Sequence, residues 1–255
     1  MLIDAHAHLD KYSDEELARV LSELSRGRFF TWAVSMDAPS YRRTLDIASQ
    51  SRWVLPTFGV HPRRAPEYAG NLSTLGPSIE RSPALGEIGL DFHWVKEREQ
   101  YPAQLKVLEY FLAAAREQDK VVNLHTKGAE QETLELLERY AIRRAIVHWY
   151  SGPADILRGL IDFGAYFTFG VELPLSEKIR DLARAVPLKQ ILTETDNPGG
   201  LKWLTGELGT PESLLRVVDA LAAVKRSEPD AIEQVVEDNF RNLMGSELLS
   251  TGAED

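Results

Sequence analysis

Met1-Leu2-Ile3-Asp4-Ala5-His6-Ala7-His8-Leu9-Asp10 opens the chain with a short apolar run that ends in two histidines spaced one apart. If Leu2 to Ala7 form a strand, side chains alternate faces with period two, so His6 and His8 point the same way and can grip one ion. Neutral imidazole is the commonest metal ligand, because it offers a lone pair without a charge to desolvate. An isolated pair of this kind is equally at home in a polar surface turn. Partner ligands downstream decide between the two.

Apolar or β-rich runs recur along the chain, at Leu2 to His6, Phe29 to Met36, Val54 to Val60, Ala84 to Gly89, Val121 to His125, Ala145 to His148, Ala165 to Phe169 and Gln190 to Glu194. Between them, segments such as Asp14 to Ser25, Gln100 to Gln118, Glu130 to Tyr140 and Ala154 to Phe163 carry apolar residues at helical spacing. Eight β-then-α units in 255 residues predict an α/β fold, a (β/α)8 TIM barrel. An open doubly wound sheet is the alternative, because periodicity alone does not close a barrel. No Gly/Ser-rich linker or low-complexity tract divides the sequence, so residues 1–255 are expected to form a single domain. Residues from about 205 to 249 read as extra C-terminal helices packing on the barrel, Pro211 to Arg226 and Pro229 to Met244, with Ser250 to Asp255 frayed.

Composition narrows the function. Hydrophobic residues make up 44% and charged residues 27%, and no window approaches the roughly 18 uncharged apolar residues of a membrane span. The N-terminus lacks a basic region followed by an apolar stretch, so a cytoplasmic location is expected, with no membrane contact and no obligate protein partner. The absence of cysteine excludes disulfides, thiolate zinc sites and cysteine nucleophiles, leaving nitrogen and oxygen to hold any metal. A net charge of −10 argues against a broad basic surface for duplex DNA. It leaves room for a phosphate substrate, since bound cations and a few local lysines or arginines can reverse the potential inside a cleft.

All six histidines fall at or just after proposed strand ends: His6, His8, His61, His93, His125 and His148. In an α/β barrel those ends converge on one rim. Two carboxylates join them from strands that otherwise read as core, Glu87 in Leu85-Gly86-Glu87-Ile88-Gly89 and Asp196 at the end of Ile191-Leu192-Thr193-Glu194-Thr195-Asp196. Flanking glycines would let backbone and metal approach Glu87 closely. A buried carboxylate is costly without a partner, and bound cations remove the objection. His6, His8, Glu87, His125, His148 and Asp196 supply enough ligands for two divalent ions bridged by Glu87.

At this point the chain resembles the TatD family of metal-dependent hydrolases, within the amidohydrolase-like metal barrels. The motifs are His6-Ala7-His8, Gly59-Val60-His61-Pro62, Gly86-Glu87-Ile88-Gly89-Leu90-Asp91, Leu124-His125-Thr126-Lys127, His148-Trp149-Tyr150-Ser151-Gly152 and Glu194-Thr195-Asp196-Asn197-Pro198, in family order from residue 1 to about 200. The resemblance implies that His6, His8 and Asp196 hold one ion, His125 and His148 the other, and Glu87 bridges. It implies zinc, manganese or magnesium as the pair of divalent metal ions. Imidazole content leans towards zinc or manganese. It further implies a deoxyribonuclease that hydrolyses phosphodiesters, with single-stranded DNA the first substrate to test. The chain departs from the pattern after Asp196, and Trp149 stands where a cysteine is usual; both changes leave the metal ligands intact.

Around the ligands, His61, Lys127 and His93 are read as candidate substrate-binding residues, His93 and Asp91 either lining the substrate entrance or lying in a solvated loop, and Arg63, Arg64 and Lys202 as rim cations. Glu194 shares a face with Asp196 and could hold a third ion or a ligand histidine. Asn123 is expected to support a ligand, and Trp203 to cap the barrel, with stacking on a base the alternative. Asp196 and Glu87 are the candidate catalytic carboxylates, with Asp196 orienting a metal-activated water and taking its proton. The alternative keeps barrel and metals but changes the substrate to a carboxylic ester, lactone, cyclic amide or aminoacyl ester. Convergence of Arg63, Lys127 and Lys202 on the metals would favour phosphate. A non-enzymatic binding protein on the same barrel is disfavoured by the complete ligand set.

Overall fold

Eight apolar runs become parallel strands: Leu2–Ala7 (β1), Phe29–Ala33 (β2), Val54–Pro56 (β3), Leu85–Asp91 (β4), Val122–Lys127 (β5), Ala145–Val147 (β6), Tyr166–Phe169 (β7) and Ile191–Thr193 (β8). The computed structural model describes residues 1–245. The expected frayed end, Ser250 to Asp255, lies outside them. Among the described residues, eleven α-helices accompany the strands: Asp14–Gly27 (α1), Ala38–Ala48 (α2), Ala65–Tyr68 (α3), Gly76–Arg81 (α4), Tyr101–Gln118 (α5), Glu130–Arg139 (α6), Ala154–Phe163 (α7), Glu177–Ala185 (α8), Gly199–Thr205 (α9), Ser213–Lys225 (α10) and Pro229–Met244 (α11). None of the described helices is long and apolar enough to cross a membrane.

The strands close into a (β/α)8 barrel. Ladder hydrogen bonds run unbroken through β1-β2-β3 and through β4 to β8, and two seams join these groups. At the first, Phe58 bridges Leu85 in parallel, and the Gly86 N–H donates to the Phe58 carbonyl at 2.9 Å. At the second, the Asp196 N–H donates to the His6 carbonyl at 3.0 Å, and the buried Asp4 carboxylate accepts from the Thr195 N–H at 2.9 Å and from its hydroxyl at 2.6 Å. The His8 N–H reaches the Asn197 carbonyl at 2.7 Å. Strands buried on both faces carry near-continuous apolar sequence, which is why most runs here do not alternate.

Several strands differ in length from the sequence reading. After Ala33 the chain leaves β3 for β4, where Ser35 exchanges hydrogen bonds with Gly86 and Glu87, so β2 stops short of Met36. β3 ends at Pro56; beyond it, the Phe58 N–H turns to the Ser82 hydroxyl. β4 and β5 run on to pair Asp91 with Lys127. Glycine is required where they meet: Gly89 has φ 146°, and a Cβ there would fall 1.9 Å from the His125 carbonyl oxygen, while one on Gly86 would meet the Asn123 Cβ at 2.7 Å. These glycines let the two strands come into close contact.

Helix ends follow local chemistry. Ser13 and Glu16 form a reciprocal capping box at the start of α1, and α1 continues past Ser25 until Arg28 turns left-handed at φ 53°. Ser213–Lys225 is shorter than the Pro211 to Arg226 reading, whereas Pro229–Met244 matches, its proline sitting in the first turn where no N–H is needed. α11 packs on the outer wall: Phe240 lies 5.7 Å from the Phe30 ring and 6.0 Å from the Trp32 ring. Asn239 donates to the carbonyls of Leu188 and Ile191, both at 2.8 Å.

Candidate metal centre

Glu87 sits at the centre of the C-terminal rim, buried on β4, and its two oxygens face different partners. Oε2 lies 3.3 Å from His8 Nε2 and 3.8 Å from His6 Nε2. Oε1 lies 2.8 Å from His125 Nδ1, 3.1 Å from His148 Nε2 and 3.7 Å from His61 Nε2. Asp196 completes the first side, with Oδ1 3.4 Å from His8 Nε2 and 3.8 Å from His6 Nε2. The residues come from β1, β4, β5 and the segments just past β1, β3, β6 and β8, so closure of the barrel is what assembles them.

The donor set fits divalent cations. Three groups bring ligand atoms within 4.8 Å of one another: His6, His8 and Glu87; His61, Glu87 and His125; and His6, His148 and Glu194. Two ligands about 2.1 Å from one tetrahedral ion stand roughly 3.4 Å apart, close to the His8 separations from Glu87 and Asp196. His6 Nε2 is buried with no hydrogen-bond partner, an orphan that a cation would satisfy.

Three of these histidines, His6, His125 and His148, have a polar side chain behind the ring. Asn123 Oδ1 stands 3.0 Å from His6 Nδ1 while its amide nitrogen donates to the Ala5 carbonyl at 2.9 Å, so Asn123 supports His6. Asp91 Oδ2 stands 3.3 Å from His125 Nε2 and Glu194 Oε2 3.4 Å from His148 Nδ1. Such partners orient a ligand ring and raise its basicity. Asp91 is not in the solvated loop expected as one of its two places: its buried carboxylate faces His125 and accepts from the backbone N–H groups of His93 and Trp94.

Burial and neighbouring charge divide the titrating groups. Burial pushes His61 down to about 3, and burial with the adjacent His148 pushes His6 well below the usual imidazole range. Those two rings stack at 3.8 Å, so they resist being charged together. Burial also opposes a charge on His148, but the carboxylates of Glu194 and Glu87 beside the ring outweigh it and raise it to about 10. For Glu87 the desolvation cost is overcome by surrounding histidines, which hold it well below the usual carboxylate range. Burial lifts Asp196 to about 6, against the pull of His8 and His148. Asp196 and Trp149 are both left-handed, at φ 51° and 41°, an uncommon state for residues with a Cβ and one that clusters at functional sites.

A cleft of about 860 Å³ opens over the centre, and its wall includes Arg63, His93, Lys127, Trp94, Trp149 and Trp203. His61 also lines it, fixed through Nδ1, which accepts from the Arg63 N–H at 3.1 Å. Lys127 turns its ammonium to the Trp149 carbonyl and the Ser151 hydroxyl. Lys202 is exposed outside the cleft; Lys178 and Glu172, unmarked in the sequence reading, line it instead. Trp203 does not cap the barrel, since it is 64% exposed at the cleft mouth: its neighbour Leu201 takes the buried face of α9. Asp4 was also missed, although its parity with His6 and His8 in an otherwise apolar strand marks it as facing inward.

The model of the family described as TatD related DNase matches residues 3–245. The metal-dependent hydrolase YcfH of Escherichia coli is 30% identical over 258 residues, 95% of each chain. The crystal structure of YjjV, a TatD homologue from Escherichia coli, superposes with a TM-score of 0.85 at 26% identity, covering 95% of this chain and 97% of that one. Human deoxyribonuclease TATDN3 is 26% identical over 261 residues, 95% of this chain and 93% of that protein. With its closed barrel and its histidine and carboxylate groups able to hold metal ions, the chain belongs to the TatD family of metal-dependent hydrolases.

Proposed function

We propose that this hydrolase binds two divalent ions and cleaves phosphodiester bonds of DNA, with single strands preferred. The observation that carries the two-ion reading is the split of Glu87: one oxygen turned to His6 and His8, the other to His61, His125 and His148. In this reading His6, His8 and Asp196 hold one ion, His125 and His148 the other, and Glu87 bridges. Bound divalent ions would acidify a water and neutralise charge developing on the phosphoryl group.

The chain's own residues supply the rest. Asp196 is 23% exposed at its side chain against 3% for Glu87, so it is the ligand carboxylate that can reach a water in the cleft, orient it and accept its proton. Asp91, Asn123 and Glu194 hold His125, His6 and His148 in register. His61, with its ring kept neutral by burial, can offer Nε2 to an ion or to the substrate. Arg63, Lys127 and Lys178 line the cleft and favour an anionic substrate, and the acidic exterior suits a single strand better than a duplex. The deoxyribonuclease name of the human relative supports DNA as the polymer.

A screen of protein reconstituted with magnesium, manganese or zinc against labelled single-stranded DNA, RNA and simple carboxylic esters tests this reading, with Asp196→Asn as control. Metal-dependent cleavage of DNA that the variant loses is the expected result. Intact oligonucleotide beside a cleaved ester or amide overturns it. One observation favours that second class: the Lys127 ammonium already has two oxygen acceptors, and Glu130 and Glu172 share its wall.

A further inference from the structure

Three of the chain's five tryptophans meet at one place, the mouth of the metal cleft. Trp203 lies 6.0 Å from Trp94 and 6.1 Å from Trp149 between ring centroids, at interplanar angles of 85° and 75°. No pair among them is stacked face to face. Trp94 is 46% exposed and Trp203 64%, a large apolar area to leave in water.

Trp149 is fixed, in contrast. Its indole N–H donates to Glu172 at 2.6 Å, its backbone N–H to the Thr168 hydroxyl at 3.1 Å, and its carbonyl accepts from Lys127. It packs with Val171, Leu201 and Val217 in a small apolar cluster separate from the barrel core. Leu201 belongs to α9, the helix that presents Trp203. One cluster therefore anchors both the rigid indole and the base of the exposed one. The Lys127 ammonium stands 5.8 Å from the Trp149 ring, so cation and aromatic surface lie side by side next to the histidines.

We propose that Trp94, Trp149 and Trp203 form an aromatic subsite that stacks a nucleobase of a single-stranded substrate while its backbone lies over the metal centre. A planar heterocycle suits the exposed indoles of Trp94 and Trp203, with buried Trp149 at their base, and stacking on tryptophan tolerates any base. The neighbouring Arg63, Lys127 and Lys178 offer charge to the backbone that carries the base. The proposal rests on the phosphodiesterase reading and adds to it a specificity determinant.

The test compares the metal-loaded protein's affinity for two phosphorothioate-linked octanucleotides, one with thymine at every position and one abasic throughout. Both carry the same charge and resist cleavage. Wild type is expected to bind the thymine strand about 5- to 100-fold more tightly, with tryptophan fluorescence quenched on binding. Trp203→Leu, a change at an exposed position, is expected to remove most of that preference while metal content and melting temperature stay at wild-type values. Equal affinity of wild type for the two strands, or an undiminished preference in a Trp94→Leu/Trp203→Leu double variant, overturns the subsite. The parent reading fails separately: a wild type that prefers the thymine strand but cleaves no phosphodiester keeps the subsite and loses the nuclease. One that cleaves normal and abasic strands with the same KM does the reverse.

Discussion

The Glu194 carboxylate lies 3.4 Å from Nδ1 of His148, on the opposite side of the ring from Nε2, which stands 3.1 Å from Glu87. A carboxylate placed there orients the ring and raises its basicity. Glu194→Gln keeps the size of the side chain and an acceptor for the Thr168 hydroxyl, which bonds it at 2.6 Å, but removes the charge. Metal affinity is expected to fall about 10- to 100-fold, read by equilibrium dialysis with elemental analysis. An affinity equal to wild type would leave Glu194 no part in holding the ligand.

Glu87 faces both sides of the centre, so its removal has a different signature. Glu87→Gln is expected to lower the ion content of both positions and to reduce activity by more than the roughly 100-fold upper range of a supporting residue. Metal counted per chain separates the cases. Loss of one ion with the other retained would make Glu87 a terminal ligand.

Protons bound at the centre make the stability of the metal-free protein pH-dependent, with opposing signs. Burial holds His61 at about 3, so between the usual imidazole value near 6.5 and pH 3 the unfolded chain binds the extra proton and acid destabilises the fold. Burial raises Asp4 to about 7, so from the usual 3.8 up to pH 7 the folded chain holds the extra proton. Its contribution is present in acid and lost as pH rises through that window. Asp4→Asn removes this counterweight. Urea melts of chelator-treated protein from pH 7 to 5 should show a steeper acid loss than wild type, by at most about 1.4 kcal/mol per pH unit. A slope equal to or shallower than wild type would contradict the assignment.

Phe240 joins α11 to the outer face of β2 through Phe30 and Trp32 and is fully buried. Phe240→Ala should cost about 3–5 kcal/mol of stability, measured by denaturant melting. It should leave metal content unchanged, because α11 lies outside the cleft. A loss of metal at full stability would show that the helix acts on the centre.

The barrel was legible because eight apolar runs alternate with helical segments, and the ligands because histidine and carboxylate interrupt apolar sequence at the run ends. Local boundaries were less legible. The short β2 and β3 follow from Ser35 crossing to Gly86 and Glu87, a contact between residues about 50 apart that no local pattern encodes. Asp91 read as an entrance or solvated-loop residue because its reach to His125 depends on how β4 pairs with β5.

His6-Ala7-His8 shows where the division falls. Strand periodicity by itself determined that the two imidazoles share a face, since that is a property of the backbone pleat. Only closure of β8 against β1, through Asp4 and Thr195, brings Asp196 to them. Only the packed interior decided which rings stay neutral and which carry a proton, because desolvation depends on what surrounds a group in space rather than along the chain. The same holds for the tryptophans: residues 94, 149 and 203 have no sequence relation, and the rim of the barrel makes them neighbours.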